Sequence, residues 1–581
     1  MTRRWLIAFL CTLAFACATG DQRSDESYDL ILKGGTVYDG SGREPVIADV
    51  AVRGDRIVQV GQLRGARAAV TLDVSGRAVT PGFINVLSWS PESLIADGRS
   101  QGEIRQGVTL EIFGEGESMG PFNAEMKADA LKQQADIHYP IEWTTLAEYL
   151  DWLVARGVST NVASLIGATT VRIHELGYAN KAPTPEQLDR MKALVARAMQ
   201  DGALGVGASL IYVPASFSST EELIELCKVA AHYGGIYTAH IRSEGQGLLQ
   251  AIDETVRIAR ESGIRAEIYH LKASGEMNWP KMAQAVERIE AARHAGVALT
   301  ADMYPYVAGA TGLDAAMPPW VQEGGLDAWV ERLKQPEVRA RVAQEMRTIS
   351  PDWESLYEGA GSPARVLFIG FRNPALKPLT GKTLAEVSAM RGKSPEETVM
   401  DLVIEDHSRV DTAYFLMSED NVRLGLRQPW VSIGSDAASM APEGVFLEKS
   451  AHPRAYGAFA RFLGYYVREQ KLVPLTEAIR RLTRLPAENF RLEHRGCLEA
   501  GCFADLVVFD PATIIDHATF EKPHQYATGV QQVFVNGVQV LKDGEHTGAR
   551  PGRVVHGPGY RGGRMKIPEP PSDPPARAFT R

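Results

Sequence analysis

The sequence predicts an α/β chain, a (β/α)8 barrel with a small composite β-sandwich built from both chain ends. Three observations carry that prediction. Short apolar runs alternate with amphipathic stretches across about 81–485, the pattern of parallel strands joined by helices. β-rich blocks occupy 27–80 and 486–550, far apart in sequence and alike in pattern. Several central runs end in a polar residue able to ligate a metal, and a barrel gathers the C-terminal ends of its strands at one mouth.

The elements follow in order. Residues 1–20 place Arg3 and Arg4 before an apolar run from Trp5 to about Ala16. That run is short for a membrane span and fits an export signal. Ala14-Phe15-Ala16-Cys17 resembles a signal-peptidase site. It also resembles a lipobox, with Ala14 in the usual leucine slot. The expectation is an exported bacterial protein, either periplasmic or, in the alternative, anchored to the membrane through a lipidated Cys17. In 27–80, Gly54-Asp55 between apolar alternations marks a hairpin. Strand-like runs in the centre include 161–166, 236–240, 266–270, 298–302 and 430–436, with helical patterns at 185–201, 220–233 and 282–295 between them. The charged stretch at about 322–400 reads as a helical insertion. The tail at 557–581 is rich in Pro, Gly and Arg and is expected to be disordered.

Composition narrows the function. With 581 residues and 45% hydrophobic content, the chain can bury a large core. A net charge of -9 leaves no basic footprint, so nucleic acid is excluded as a partner. Cys497 and Cys502 flank a turn and could pair in an oxidising compartment. Spacing alone does not fix their geometry, so a free pair is the alternative.

The sharpest signal is positional. His240, His270 and Asp436 each close an apolar run. Imidazole and carboxylate are natural zinc ligands, and three protein ligands with an open position make a catalytic site. A single histidine at a strand end is more often an ordinary hydrogen-bonded residue. The three in this order carry more weight.

These residues sit in runs with a wider likeness: Gly34-Gly35-Thr36-Val37-Tyr38-Asp39-Gly40, Thr80-Pro81-Gly82-Phe83-Ile84, Gln106-Gly107-Val108-Thr109, Tyr237-Thr238-Ala239-His240-Ile241-Arg242-Ser243-Glu244, Tyr269-His270-Leu271-Lys272, Tyr304-Pro305-Tyr306, Ile433-Gly434-Ser435-Asp436, His452-Pro453-Arg454 and Ala504-Asp505-Leu506-Val507-Val508-Phe509-Asp510. Together they resemble the amidohydrolase superfamily and, within it, the D-aminoacylase (N-acyl-D-amino-acid deacylase) family, over about 27–545. The resemblance implies that His240 and His270 bind metal. It implies that Asp436 takes a proton from the attacking water and passes it to the leaving amine. Arg454 matches the arginine that holds the substrate carboxylate, a task suited to its planar fork, and Tyr304 matches a substrate-contacting tyrosine.

The departures are equally informative. The family carries Asp-x-His-x-His after its first strand, and here those slots hold Asn85, Leu87 and Trp89. Leucine has no lone pair and the indole nitrogen only donates, so neither binds a metal. The family's metal-binding cysteine falls on Gly116, between Glu115 and Glu117. A shift of one residue would bring either carboxylate to the metal, with Glu115 the first choice and Glu117 the second. A serine of the family falls on Ala310, and a histidine of some members falls on Ala168.

The expected function is metal-dependent hydrolysis of a C–N amide bond, with about one zinc per chain and a small substrate bearing a free carboxylate. N-acyl amino acids, of D configuration by the resemblance, are the expected class. Cyclic-amide and dipeptide hydrolysis are the rivals among enzymes. A catalytically degenerate exported carboxylate-binding homologue is the rival outside them.

Overall fold

The computed structural model of the chain describes residues 27–350 and 352–562. The export signal at 1–20, Cys17 and the tail from 563 lie outside the described residues.

Among the described residues, eight parallel strands build the barrel: Phe83–Asn85, Val108–Phe113, Asn161–Ser164, Gly205–Ser209, Ile236–His240, Arg265–Ile268, Leu299–Met303 and Val431–Ile433. Their residues are nearly all buried, because helices cover one face and barrel packing fills the other. Two seams complete the circle. Leu204 N donates to Ser164 O at 2.9 Å, and Asp436 N donates to Leu87 O at 2.9 Å beside a parallel bridge between Ser88 and Ala437. The surrounding helices begin where side-chain caps place them. Thr184 opens Pro185–Gln200 with a capping box, and Ser219 opens Thr220–His232 by accepting from Glu222 N.

The two chain ends meet in one sheet. Leu506–Phe509 pairs antiparallel with Ala78–Pro81, which pairs parallel with the end of Ser27–Val37. The hydrogen bonds run through nine strands in all, from Glu545–His546 at one edge to Arg56–Gly61 at the other. Leu30, Val50, Val79, Leu506 and Phe534 fill its core together with the Cys497–Cys502 disulfide.

Two expectations need correction. The excursion between the seventh and eighth barrel strands spans 304–430, and it is not only helical. It folds three antiparallel strands, Ala308–Gly312, Val366–Gly370 and Asp411–Phe415, around their own core of Leu313, Phe368, Val399 and Tyr414. The Gly-rich run Ala308–Gly312 gave little strand signal of its own. Its pairing with Asp411–Phe415 is a tertiary choice. The tail also starts later than composition suggested. Gly557 N donates to Gly202 O at 2.9 Å and Arg561 N to Gln200 O at 3.3 Å, so 557–562 lies along the barrel.

Asn85 ties the first and last strands together. It is fully buried, accepts from Ser435 N at 2.9 Å, and donates to Ser435 Oγ at 2.7 Å and Glu103 Oε1 at 3.1 Å. Asn85→Ala strands those partners without water. Each orphaned group costs about 1–3 kcal/mol, so thermal unfolding should move to clearly lower temperature. An unchanged melting temperature would show that barrel closure does not rest on this residue.

Candidate metal centre

Three ligating side chains converge at the barrel mouth from three strands. His240 ends Ile236–His240, His270 lies just past Arg265–Ile268, and Glu115 lies just past Val108–Phe113. All three are buried, and one ligand atom from each lies within 4.8 Å of the others. Glu115 Oε1 stands 2.8 Å from His270 Nε2 and 3.3 Å from His240 Nδ1. His240 Nε2 is buried and has no hydrogen-bond partner. Two buried imidazoles and a carboxylate make a donor set that suits zinc.

The local backbone explains why Glu115 fills this place. Gly116 adopts φ +74, and a Cβ there would meet Ser209 Oγ at 2.4 Å and Ser209 N at 2.9 Å. No side chain fits at 116, so the ligand comes from the preceding residue, whose carbonyl accepts from Ser209 Oγ at 3.0 Å. Glu117 is exposed and outside the triad.

Behind the triad sits a buried ionic relay. Lys272 Nζ donates to Glu244 Oε1 at 2.6 Å and lies 2.8 Å from His270 Nδ1. Glu244 Oε1 is 3.0 Å from the same His270 Nδ1. A carboxylate on the far nitrogen of a ligating histidine fixes its ring and raises its basicity. Glu354, from the 304–430 excursion, pins the turn that carries Glu244. Its Oε2 accepts from Glu244 N at 2.6 Å, Gly245 N at 2.9 Å and Ser243 Oγ at 2.9 Å. Lys272, Glu244 and Glu354 were not singled out for these roles by sequence. Glu244 stands in the same run as His240, one helical turn away in number, and that spacing was the available signal.

Burial pushes the Glu115 carboxyl up, but His270 and His240 outweigh it and hold it well below the usual range. Burial likewise opposes ionisation of Glu244, and the Lys272 ammonium with the two imidazoles overrides it. Burial and Lys272 disfavour a charge on His270. Glu244, Glu115 and Asp436 together raise its pKa well above the ordinary value. The site therefore attracts positive charge at the point where a cation would bind.

On the other side stand Asp436, Arg454 and Tyr304. Arg454 Nη1 forms an ion pair with Asp436 Oδ2 at 2.7 Å, and its Nε is a buried donor without an acceptor. Arg454 Nη2 donates to Ala310 O at 3.3 Å, and its guanidinium carbon stands 4.5 Å over the Tyr304 ring. Tyr304 also meets His270 at 6.3 Å between ring centres. Burial raises the Asp436 pKa, with Arg454 and His270 pulling the other way. Of the positions named from sequence, the structure thus gathers all six at one mouth: Glu115, His240 and His270 as the ligand cluster, and Asp436, Arg454 and Tyr304 as an adjoining ion pair and ring.

An eight-stranded barrel with a cluster of candidate metal ligands at its mouth and an end sheet from both chain ends is the architecture of the amidohydrolases. The Amidohydrolase family model matches residues 137–541. The D-aminoacylase of Alcaligenes xylosoxydans xylosoxydans is 36% identical over 538 residues, covering 92% of this chain and 99% of the relative. A solved D-aminoacylase, studied for the functional role of its binuclear metal center with one-metal activation and second-metal attenuation, superposes with TM-score 0.75 at 33% identity, covering 91% of this chain and 100% of the other. The N-acyl-D-glutamate deacylase of Bordetella bronchiseptica, solved with zinc and a phosphonate inhibitor, superposes with TM-score 0.74 at 29% identity over the same shares. The chain belongs to the amidohydrolase family, in its D-aminoacylase branch.

The geometry separates the two neighbouring glutamates experimentally. Glu115→Ala should lose most bound metal after reconstitution and dialysis, whereas Glu117→Ala should keep it. Elemental analysis reads both. Full occupancy in Glu115→Ala would move the third ligand elsewhere.

Proposed function

We propose that the chain is a single-metal deacylase of N-acyl amino acids, with D substrates preferred and zinc as the metal. The observation that carries this reading is the juxtaposition of the Glu115–His240–His270 cluster with Arg454, whose Nε is buried without an acceptor and whose Nη1 pairs with Asp436 Oδ2. An amide with a neighbouring carboxylate matches both halves. The names of the matched relatives support the D configuration and the acyl-amino-acid class. Leu87 and Trp89 withhold the ligands for a second cation, which supports one metal per chain.

When bound, the metal would polarise the amide carbonyl and acidify a water. Glu115, His240 and His270 would hold it, with Glu244 fixing the His270 ring. Arg454 would receive the substrate carboxylate at its open Nε and at the Nη1 now paired with Asp436, and draw the amide toward the cluster, with Tyr304 as the wall beneath. Asp436 would accept the proton of the attacking water at a carboxylate oxygen and return it to the amine as the C–N bond breaks. Substrate carboxylate on Arg454 competes with Asp436 Oδ2 for the guanidinium, so binding would free Asp436 for this work.

Export is part of the proposal. The 1–20 segment supports it, as does the Cys497–Cys502 disulfide, a bond that persists in oxidising compartments.

Asp436→Asn keeps the shape and removes the base. Turnover of an N-acetyl-D-amino acid should fall by about 10²–10⁴-fold, with metal content retained. Near-wild-type turnover in that variant would unseat Asp436. A wild-type protein that cleaves no N-acyl amino acid, dipeptide or cyclic amide, yet binds carboxylates, would favour a binding protein over an enzyme.

The carboxylate is tested from the substrate side. Replacing it by a neutral carboxamide leaves Arg454 unpaired, and losing a buried charge partner costs about 2–5 kcal/mol. The neutral analogue should show kcat/KM lower by on the order of 10²–10³-fold, and Arg454→Ala should erase most of that discrimination. Equal rates on both substrates would remove Arg454 from substrate binding.

A further inference from the structure

Trp89 stands in the second of the two first-strand slots that cannot ligate, and its position is not idle. Trp89 is 41% exposed, yet its Nε1 donates to Glu115 Oε2 at 2.8 Å. The same carboxylate gives its other oxygen, Oε1, to the two imidazoles. The Trp89 backbone is fixed as well: its N donates to Ala437 O at 3.0 Å, next to Asp436.

We infer that the Trp89 indole N–H is a positioning group that ties down the outer oxygen of Glu115, so that the carboxylate offers the metal a single oxygen. The inference rests on the reading of Glu115, His240 and His270 as the ligand set. An indole has one donor and no acceptor, so the contact requires a lone pair on Oε2 and keeps that oxygen turned from the cluster. A carboxylate with one oxygen engaged by a donor favours one-point coordination through the other oxygen, and its rotation is restrained. In this slot a side chain that cannot bind a cation instead engages the oxygen that would otherwise be open to a second cation or to a bidentate contact. It links the metal ligand to the strand seam at Asp436, which keeps the cluster and the proposed base in fixed relation.

The test uses the full-length protein, stripped of metal and loaded with cobalt(II) as a spectroscopic probe, because ligand number and geometry show in its visible bands. Wild-type protein should take up about one cobalt per chain with the intense bands of low coordination number. Trp89→Phe keeps a ring and removes the donor. It should bind cobalt about 10–100-fold more weakly, the usual range for loss of an outer partner of a ligand, with weaker bands as the second oxygen enters. Unchanged affinity and unchanged bands in Trp89→Phe overturn the inference. Wild-type protein that takes up no cobalt, or Glu115→Gln protein that takes it up undiminished, overturns the ligand set and the inference with it. A second readout leaves position 89 intact. The Trp89 indole proton should exchange with solvent slowly despite the half-exposed ring, and quickly in Glu115→Ala. Equally fast exchange in both proteins counts against the contact.

Discussion

The mouth of this barrel depends on one buried oxygen, Glu115 Oε1, set 2.8 Å from His270 Nε2 and 3.3 Å from His240 Nδ1. A lone carboxylate in a dry interior is costly, and proteins accept it only with partners. The partners here form a chain of alternating charge. Glu115 meets the imidazoles, His270 meets Lys272 and Glu244, and Asp436 meets Arg454. Three carboxylates (Glu115, Glu244, Asp436) stand against two permanent cations (Lys272, Arg454), so the group is short of positive charge. The raised proton affinity of His270 is the local expression of that deficit. A divalent ion held by the cluster would answer it more fully.

Holding these groups strains the backbone in two places. His270 and Asp436 sit at φ 36 and φ 49, in the left-handed region that residues with a Cβ avoid. Such conformations cost on the order of 1–3 kcal/mol each and persist where the surroundings over-determine them. The surroundings do so here. Asp302 Oδ1 accepts from His270 N at 3.1 Å, and Leu87 O accepts from Asp436 N at 2.9 Å. Asp302 plays this part from a fully buried position where desolvation and Glu267 raise its pKa well above the usual range.

Strand ends were the legible part of the sequence. His240 is the last residue of its strand, and apolar runs flanked by amphipathic helices reveal such positions without alignment. Glu115 was legible only through a resemblance and a missing cysteine. What selects it over Glu117 is the contact between position 116 and Ser209, which brings together residues 93 apart and leaves no trace in local pattern. Glu354 is further from legibility. It reaches the site from within the 304–430 excursion, whose three-stranded sheet pairs segments about a hundred residues apart. Pairings of that kind are chosen by tertiary packing, which local propensity does not encode.

The first strand shows how a metal-binding element can change its work without loss of the fold. Leu87 joins an apolar cluster with Ile84, Val86, Leu110 and Tyr269, where a histidine would need a polar partner. Asn85, in the family's aspartate slot, satisfies Ser435 and Glu103 across the barrel seam. The three slots therefore serve packing, closure and, at Trp89, a hydrogen bond to Glu115. The ligands that persist come from the second, fifth and sixth strands, and Asp436 follows the eighth. A cation held by that set would keep the reacting side of the barrel, while the first strand closes it and steadies Glu115 through Trp89, with Leu87 and Trp89 offering no ligand of their own.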